Sequence, residues 1–207
     1  MSSFVDSLCG DRSFIDSLSR FVDRIEPHAI ANSLAQVVLK ICLPGVPDFY
    51  QGNEVRTFAL ADPDNRRLVD FDMVRERLAG VTSAGAARVV QPWRSPELSK
   101  LWVTWQGLRL RAERPSAFVG KSATYEAIET TGPRKDNVLG FVRGGEVAAL
   151  VTRFSTQVER GWETTEMRLP EGSWRDVLTS RTHGQRVRAS AVFADLPIAL
   201  LELEAPH

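Results

Sequence analysis

The 207 residues are 43% apolar and 25% charged, an ordinary globular composition that argues against disorder and suits one large domain or two small ones. Lys plus Arg equals Asp plus Glu at 26 each, so no net field draws the chain to nucleic acid or an anionic membrane, and the basic stretches 134–135 and 109–114 are too short to track phosphates. Two cysteines, Cys9 and Cys42, are too few for a disulfide framework; with no basic, apolar leader and no membrane-length apolar run, the chain reads as soluble and cytoplasmic.

Phe14, Leu18, Phe21, Val22 and Ile25 recur at the spacing of one helical face, and Pro27 is expected to end that helix. Ile30, Leu34, Val37, Val38 and Ile41 repeat the spacing, while Ala31, Ala35, Leu39 and Cys42 add a second apolar stripe, so this helix is expected to be covered on more than one side. Pro44-Gly45 stops it. Residues 46–52 then read as a short strand entering a loop, which makes half of an α/β repeat. Residues 53–70 are polar and turn-rich, and a long loop after a strand is where α/β enzymes place binding groups.

Ser95-Pro96-Glu97 has the order of an N-cap, a first-turn proline and a first-turn acid, and Leu98, Leu101, Trp102, Trp105, Leu108 and Ala112 follow on one face up to Arg114-Pro115. Beyond this the pattern changes to short β-type runs at 138–142, 147–154, 164–169, 174–178 and 198–203, with Gly144-Gly145 as a hairpin turn. The expected fold class is α+β: a mainly helical segment over 1–116, then an antiparallel β-sandwich over 117–207. His28, His183 and His207 have no second ligand at metal spacing and read as surface or capping residues, so no metal and no cofactor is expected.

Three stretches carry more than periodicity. Asn32-Ser33-Leu34-Ala35-Gln36 with residues 43–54 (LPGVPDFYQGNE), residues 60–70 (LADPDNRRLVD) and residues 169–179 (LPEGSWRDVLT), closed by 197–203, occur in this order along the chain. Together they resemble the C-terminal portion of maltooligosyl trehalose synthases, α-amylase-type enzymes; most of that family has proline at the position of Leu68. The resemblance implies that residues 1–116 are the end of a (β/α)8 barrel, with a substrate-side loop at 52–70. It also implies an activity for the whole enzyme: converting the reducing-end α-1,4 bond of a maltooligosaccharide to α,α-1,1 in trehalose biosynthesis, an intramolecular transfer classed as isomerisation. A retaining carboxylate pair is required for such chemistry. The family takes its catalytic carboxylates from earlier barrel strands, and no match to those motifs is found here. Hence no catalytic residue is named, and the chain alone is expected to be inactive.

The partners implied are maltooligosaccharide in the assembled enzyme and the missing N-terminal barrel segment, since one strand cannot close a barrel. Candidate substrate-binding residues are Asp48, Tyr50, Gln51, Glu54, Asp62, Asp64, Asn65, Arg66 and Arg67, whose side chains can donate to or accept from sugar hydroxyls. A structural role competes for several: Asp48 and Glu54 could pair with Arg56, Arg66 or Arg67, and Asp62 and Asn65 could simply form turns. Trp102 and Trp105 read as core rather than sugar platforms. The alternative readings are a non-catalytic α-glucan-binding or partner-stabilising module, and a truncated reading frame.

Overall fold

The computed structural model describes residues 2–59, 62–84 and 96–205; Leu60, Ala61, Trp93 and the Ser95 cap lie outside the described residues. Helix α1 (Ser2–Gly10) leads into α2 (Arg12–Cys42), whose start is fixed by Asp11 Oδ1 accepting from the amides of Ser13 (2.8 Å) and Phe14 (3.3 Å).

The expected break at Pro27 does not occur, because α2 runs through it. Proline removes one amide donor and crowds one turn, but its fixed φ is helical. The flanking turns stay aligned because the C-terminal half, from Ile30 to Cys42, is pinned in the core. Residues 46–52, expected as a short strand entering a loop, have no ladder partner in the structure. A strand exists only through pairing, and no neighbouring barrel strand is present among the described residues.

Helix α3 (Phe71–Ala84) is capped by Asp70, whose Oδ1 accepts from the Met73 amide at 2.9 Å. Helix α4 (Pro96–Glu113) then lies against α2. Gly107 allows the close approach, since a Cβ there would meet Ile41 Cδ1 at 2.7 Å. The single turn α5 (Pro115–Phe118) leads into the sheets.

One antiparallel sheet has the order β1 (Tyr125–Ala127), β3 (Val138–Arg143), β4 (Val147–Thr152), β9 (Ile198–Leu203), β6 (Trp174–Asp176), β7 (Thr182–His183). A second joins β2 (Glu129–Thr131), β5 (Glu166–Arg168) and β8 (Arg186–Arg188), and the turn α6 (Ala189–Val192) follows β8. Every residue of β4 is buried. Alternation explains why: Val147, Ala149 and Val151 join a core with α2 and α4, whereas Ala148 and Leu150 join a second core with Met167 and Val187 of the smaller sheet. Strand β9 divides the same way, Ile198 and Leu200 against Ala199 and Leu201. The larger sheet is therefore a middle layer between helices and the smaller sheet.

Candidate functional site

The loop after α2 starts from a firmly held helix end. Arg111 Nη1 donates to the Ile41 carbonyl (2.7 Å) and Arg143 Nη1 to that of Cys42 (3.4 Å), satisfying last-turn carbonyls with cations on the negative end of the helix dipole. Arg143 is buried and also donates to the carbonyls of Ala117, Phe118 and Ala123. Burial, then the nearby Arg111, pulls its pKa below the usual guanidinium value. Cys42 lies buried beside it with its thiol pushed up to about 12, chiefly by burial. It is therefore a packing residue and not a nucleophile.

From this anchor the chain folds back on the 62–70 loop. Gly52 sits at φ +80°, and a Cβ there would come 2.9 Å from Val69 Cγ2, so only glycine lets the two loops meet. Between them and α3 lies a cavity of about 720 Å³. Of the expected substrate-binding residues, Tyr50, Gln51, Asp64, Asn65 and Arg67 line it. Asp48, Glu54, Asp62 and Arg66 do not.

The charged members between 62 and 67 are paired locally. Arg66 binds Asp62 through two parallel bonds, Nε to Oδ1 and Nη2 to Oδ2, both 2.7 Å. Arg67 pairs with Asp64, and Arg56 with Glu26 at 2.7 Å. The three arginines offered as partners for Asp48 and Glu54 are thus seen on other carboxylates. Asp48 is exposed. Glu54 keeps a buried Oε2 without a hydrogen-bond partner, and its charge partly opposes the fall in Lys100 pKa that burial and then Lys40 produce. Lys100 Nζ in turn donates to the Val55 carbonyl at 3.3 Å, bracing the loop from α4.

Sequence reasoning missed several contributors. Asn53, Phe58, Asp70 and Arg77 line the same cavity, and Phe58 is 84% exposed. Phe58 lies under the Arg56 guanidinium, 4.6 Å from ring centroid to Cζ. The signal for Phe58 was available, as an apolar aromatic in an otherwise polar loop. Trp102 is core, as expected: it is buried, donates to the Leu178 carbonyl (3.0 Å) and stacks at 5.4 Å on Trp105, which packs half-buried against the core. The reading of His183 as a surface or capping residue is corrected, because pairing of β7 with β6 buries it opposite Trp174.

Amides, ion-paired carboxylates and half-exposed rings suit recognition of a polyhydroxylated ligand. Among the described residues no cluster of three or more His, Cys, Asp or Glu could hold a metal, and no helix is long and apolar enough to cross a membrane.

No protein-family profile matches the chain. A Mycobacterium tuberculosis H37Rv protein assigned as a maltooligosyl trehalose synthase is 35% identical over 192 residues, 92% of this chain and 23% of that protein. The structure of the Arthrobacter ramosus maltooligosyltrehalose synthase superposes with a TM-score of 0.84 at 35% identity, over 92% of this chain and 24% of that one. This chain matches the C-terminal part of maltooligosyl trehalose synthases. The structure of a hypothetical maltooligosyl trehalose synthase from Sulfolobus tokodaii gives a TM-score of 0.68 at 27% identity, over 98% of this chain and 24% of that one. The chain spans about a quarter of the length of the synthases it matches. The synthase match covers helices and antiparallel sheets alike, so the α+β architecture is that of the synthase C-terminal region.

Proposed function

We propose that the chain acts as the closing segment of a synthase barrel, residues 1–116, joined to a C-terminal β-sandwich, residues 117–207, in a cytoplasmic enzyme. The assembled enzyme turns the reducing-end α-1,4 bond of a maltooligosaccharide into an α,α-1,1 bond, and this chain supplies substrate contacts, not the reacting carboxylates. The observation that supports the reading most is the convergence of Tyr50, Gln51, Asp64, Asn65 and Arg67 on one cavity, lined from two of the three stretches that carry the family resemblance. Asp62 and Arg66 hold that loop's shape through their paired bonds; Asp48 and Glu54 reach sugar only if the missing strands bring it to them.

The N-terminal half of α2 supports the need for a missing partner. Phe14, Leu18, Phe21, Val22 and Ile25 form its apolar face, yet each is between 38% and 48% exposed. A contiguous stripe of this kind marks an interface, and the missing barrel segment is the occupant proposed.

In the assembled enzyme, Asn65→Ala and Arg67→Ala should raise KM for maltopentaose by about tenfold, the value of one well-placed hydrogen bond, with the melting temperature unchanged. Unchanged KM with a lowered melting temperature would make the loop structural and remove the support for this reading.

A further inference from the structure

Phe58 is the part of the loop cavity that hydrogen bonding leaves unexplained. It stands two residues from Arg56 in a stretch with no helix or turn, a spacing that places side chains on the same side of an extended backbone. The Arg56 guanidinium accordingly covers one face of the ring, its Cζ 4.6 Å from the centroid. Arg56 is fixed in turn by Glu26 of α2, with Nη1 donating to Oε1 at 2.7 Å. A cation–π contact thus holds the ring from one side, while Phe58 as a whole stays 84% exposed and lines the cavity.

Two occupants compete for the free face, a protein surface and the ring of a bound sugar. The charges around Phe58 favour the sugar. The apolar stripe from Phe14 to Ile25 repeats at helical spacing, as a protein interface does, but Phe58 stands between ion pairs. A protein surface closing over it would also take water from Arg56 and Glu26, whose side chains are 25% and 40% exposed, and from Arg67, 80% exposed beside Asp64. Desolvating ion pairs costs more than their attraction commonly repays, and the burial of one ring is a small offset. A glucose ring suits both parts at once. Its equatorial hydroxyls keep charged and amide groups hydrogen-bonded, and its flat C–H face is apolar.

We infer that Phe58 is a stacking platform for one glucose ring of a bound α-glucan. The sugar's C–H face lies on the free side of the ring, and its hydroxyls meet the polar lining that includes Gln51 and Asn65. Arg56, held by Glu26, is a positioning residue that fixes the ring before the sugar arrives, so less freedom is lost on binding. This rests on the reading of the loop cavity as a substrate site and adds to it the residue that recognises the apolar face of the sugar.

The test is an NMR titration of the full chain with maltopentaose, followed at the Phe58 ring protons and, separately, at the side-chain amides of Gln51 and Asn65. Saturable shifts in the millimolar range are expected at all three. Phe58→Tyr and Phe58→Trp keep a flat face and should hold the affinity within about twofold, whereas Phe58→Leu, apolar without a flat face, should weaken it by about fivefold. The melting temperature should not change in any of these variants, because the ring is exposed. Shifts at Gln51 and Asn65 with a silent Phe58 ring, a Phe58→Leu chain that binds as well as the original, or a loss as large in Phe58→Tyr as in Phe58→Leu would each overturn the platform and leave the substrate reading of the cavity standing. No shift at any of the three positions would overturn both.

Discussion

Arg143, Asp176 and Trp174 show how much single residues hold. Arg143 gathers carbonyls from the ends of α2 and α5 and from the strand approach, joining the helical part to the sheet. Nothing in its local sequence, a strand-ending Arg before Gly144-Gly145, announced that role, because the carbonyls it serves are as much as 101 residues away. Arg143→Met should cost at least about 2 kcal/mol in urea unfolding, by leaving buried acceptors unpaired; a neutral change would show the contacts to be incidental. Trp174 is fully buried and its Nε1 donates to the Pro170 carbonyl at 3.0 Å. Trp174→Ala should cost about 3–5 kcal/mol, read by the same unfolding curves. Here the sequence was informative: a tryptophan within a β-type run reports burial directly.

Asp176 is a buried acid whose titration bears on stability. Burial is the main cause that pushes its carboxyl from 3.8 up to about 6, against hydrogen bonds from Thr179 and the amides of Leu178 and Leu200. A folded pKa above the unfolded one means that the folded state holds a proton the unfolded state has lost. The group's stabilisation is therefore full below about pH 4 and is lost as pH rises through about 6. Relative to Asp176→Asn, the protein should gain stability as pH falls from neutral to 4, and a pH-independent difference between the two would contradict the assignment.

At the scale of elements, legibility followed how local the cause was. Helix α4, strands β3, β4 and β9, and the Gly144-Gly145 turn were readable because periodicity and turn chemistry lie within a few residues. Strands β1, β2, β7 and β8 were not foreseen: they are two or three residues long and exist through their partners. The loop cavity was half legible. Its motif residues stood out, but which of them face it depends on the Gly52–Val69 contact and on ion pairs that only the fold selects.

Helix α2 shows the limit of a local rule. Pro27 is a helix breaker by propensity, yet tertiary packing of the following turns overrides it. Pro27→Ala should therefore restore a helical amide and stabilise the chain by about 1–3 kcal/mol, the range set by proline's helix penalty and the entropy it removes from the unfolded chain. A drop in melting temperature would mean that the ring makes a contact worth more than that penalty.

The whole molecule combines well-packed cores with apolar side chains left bare. Two apolar clusters fill the β-region and the C-terminal half of α2, while the N-terminal half of α2, Val46 and Phe58 leave large apolar side chains to solvent. That contrast agrees with a chain spanning about a quarter of its synthase relatives and with a loop cavity lined by groups able to hydrogen-bond hydroxyls. The central claim, that this chain completes a synthase but does not itself catalyse, is tested most directly by assaying it with maltopentaose, alone and mixed with the N-terminal barrel part of a related synthase. Trehalose-ended product only in the mixture is the predicted result. Sustained turnover by the chain alone, or a stable complex of the two parts that stays inactive, would contradict it.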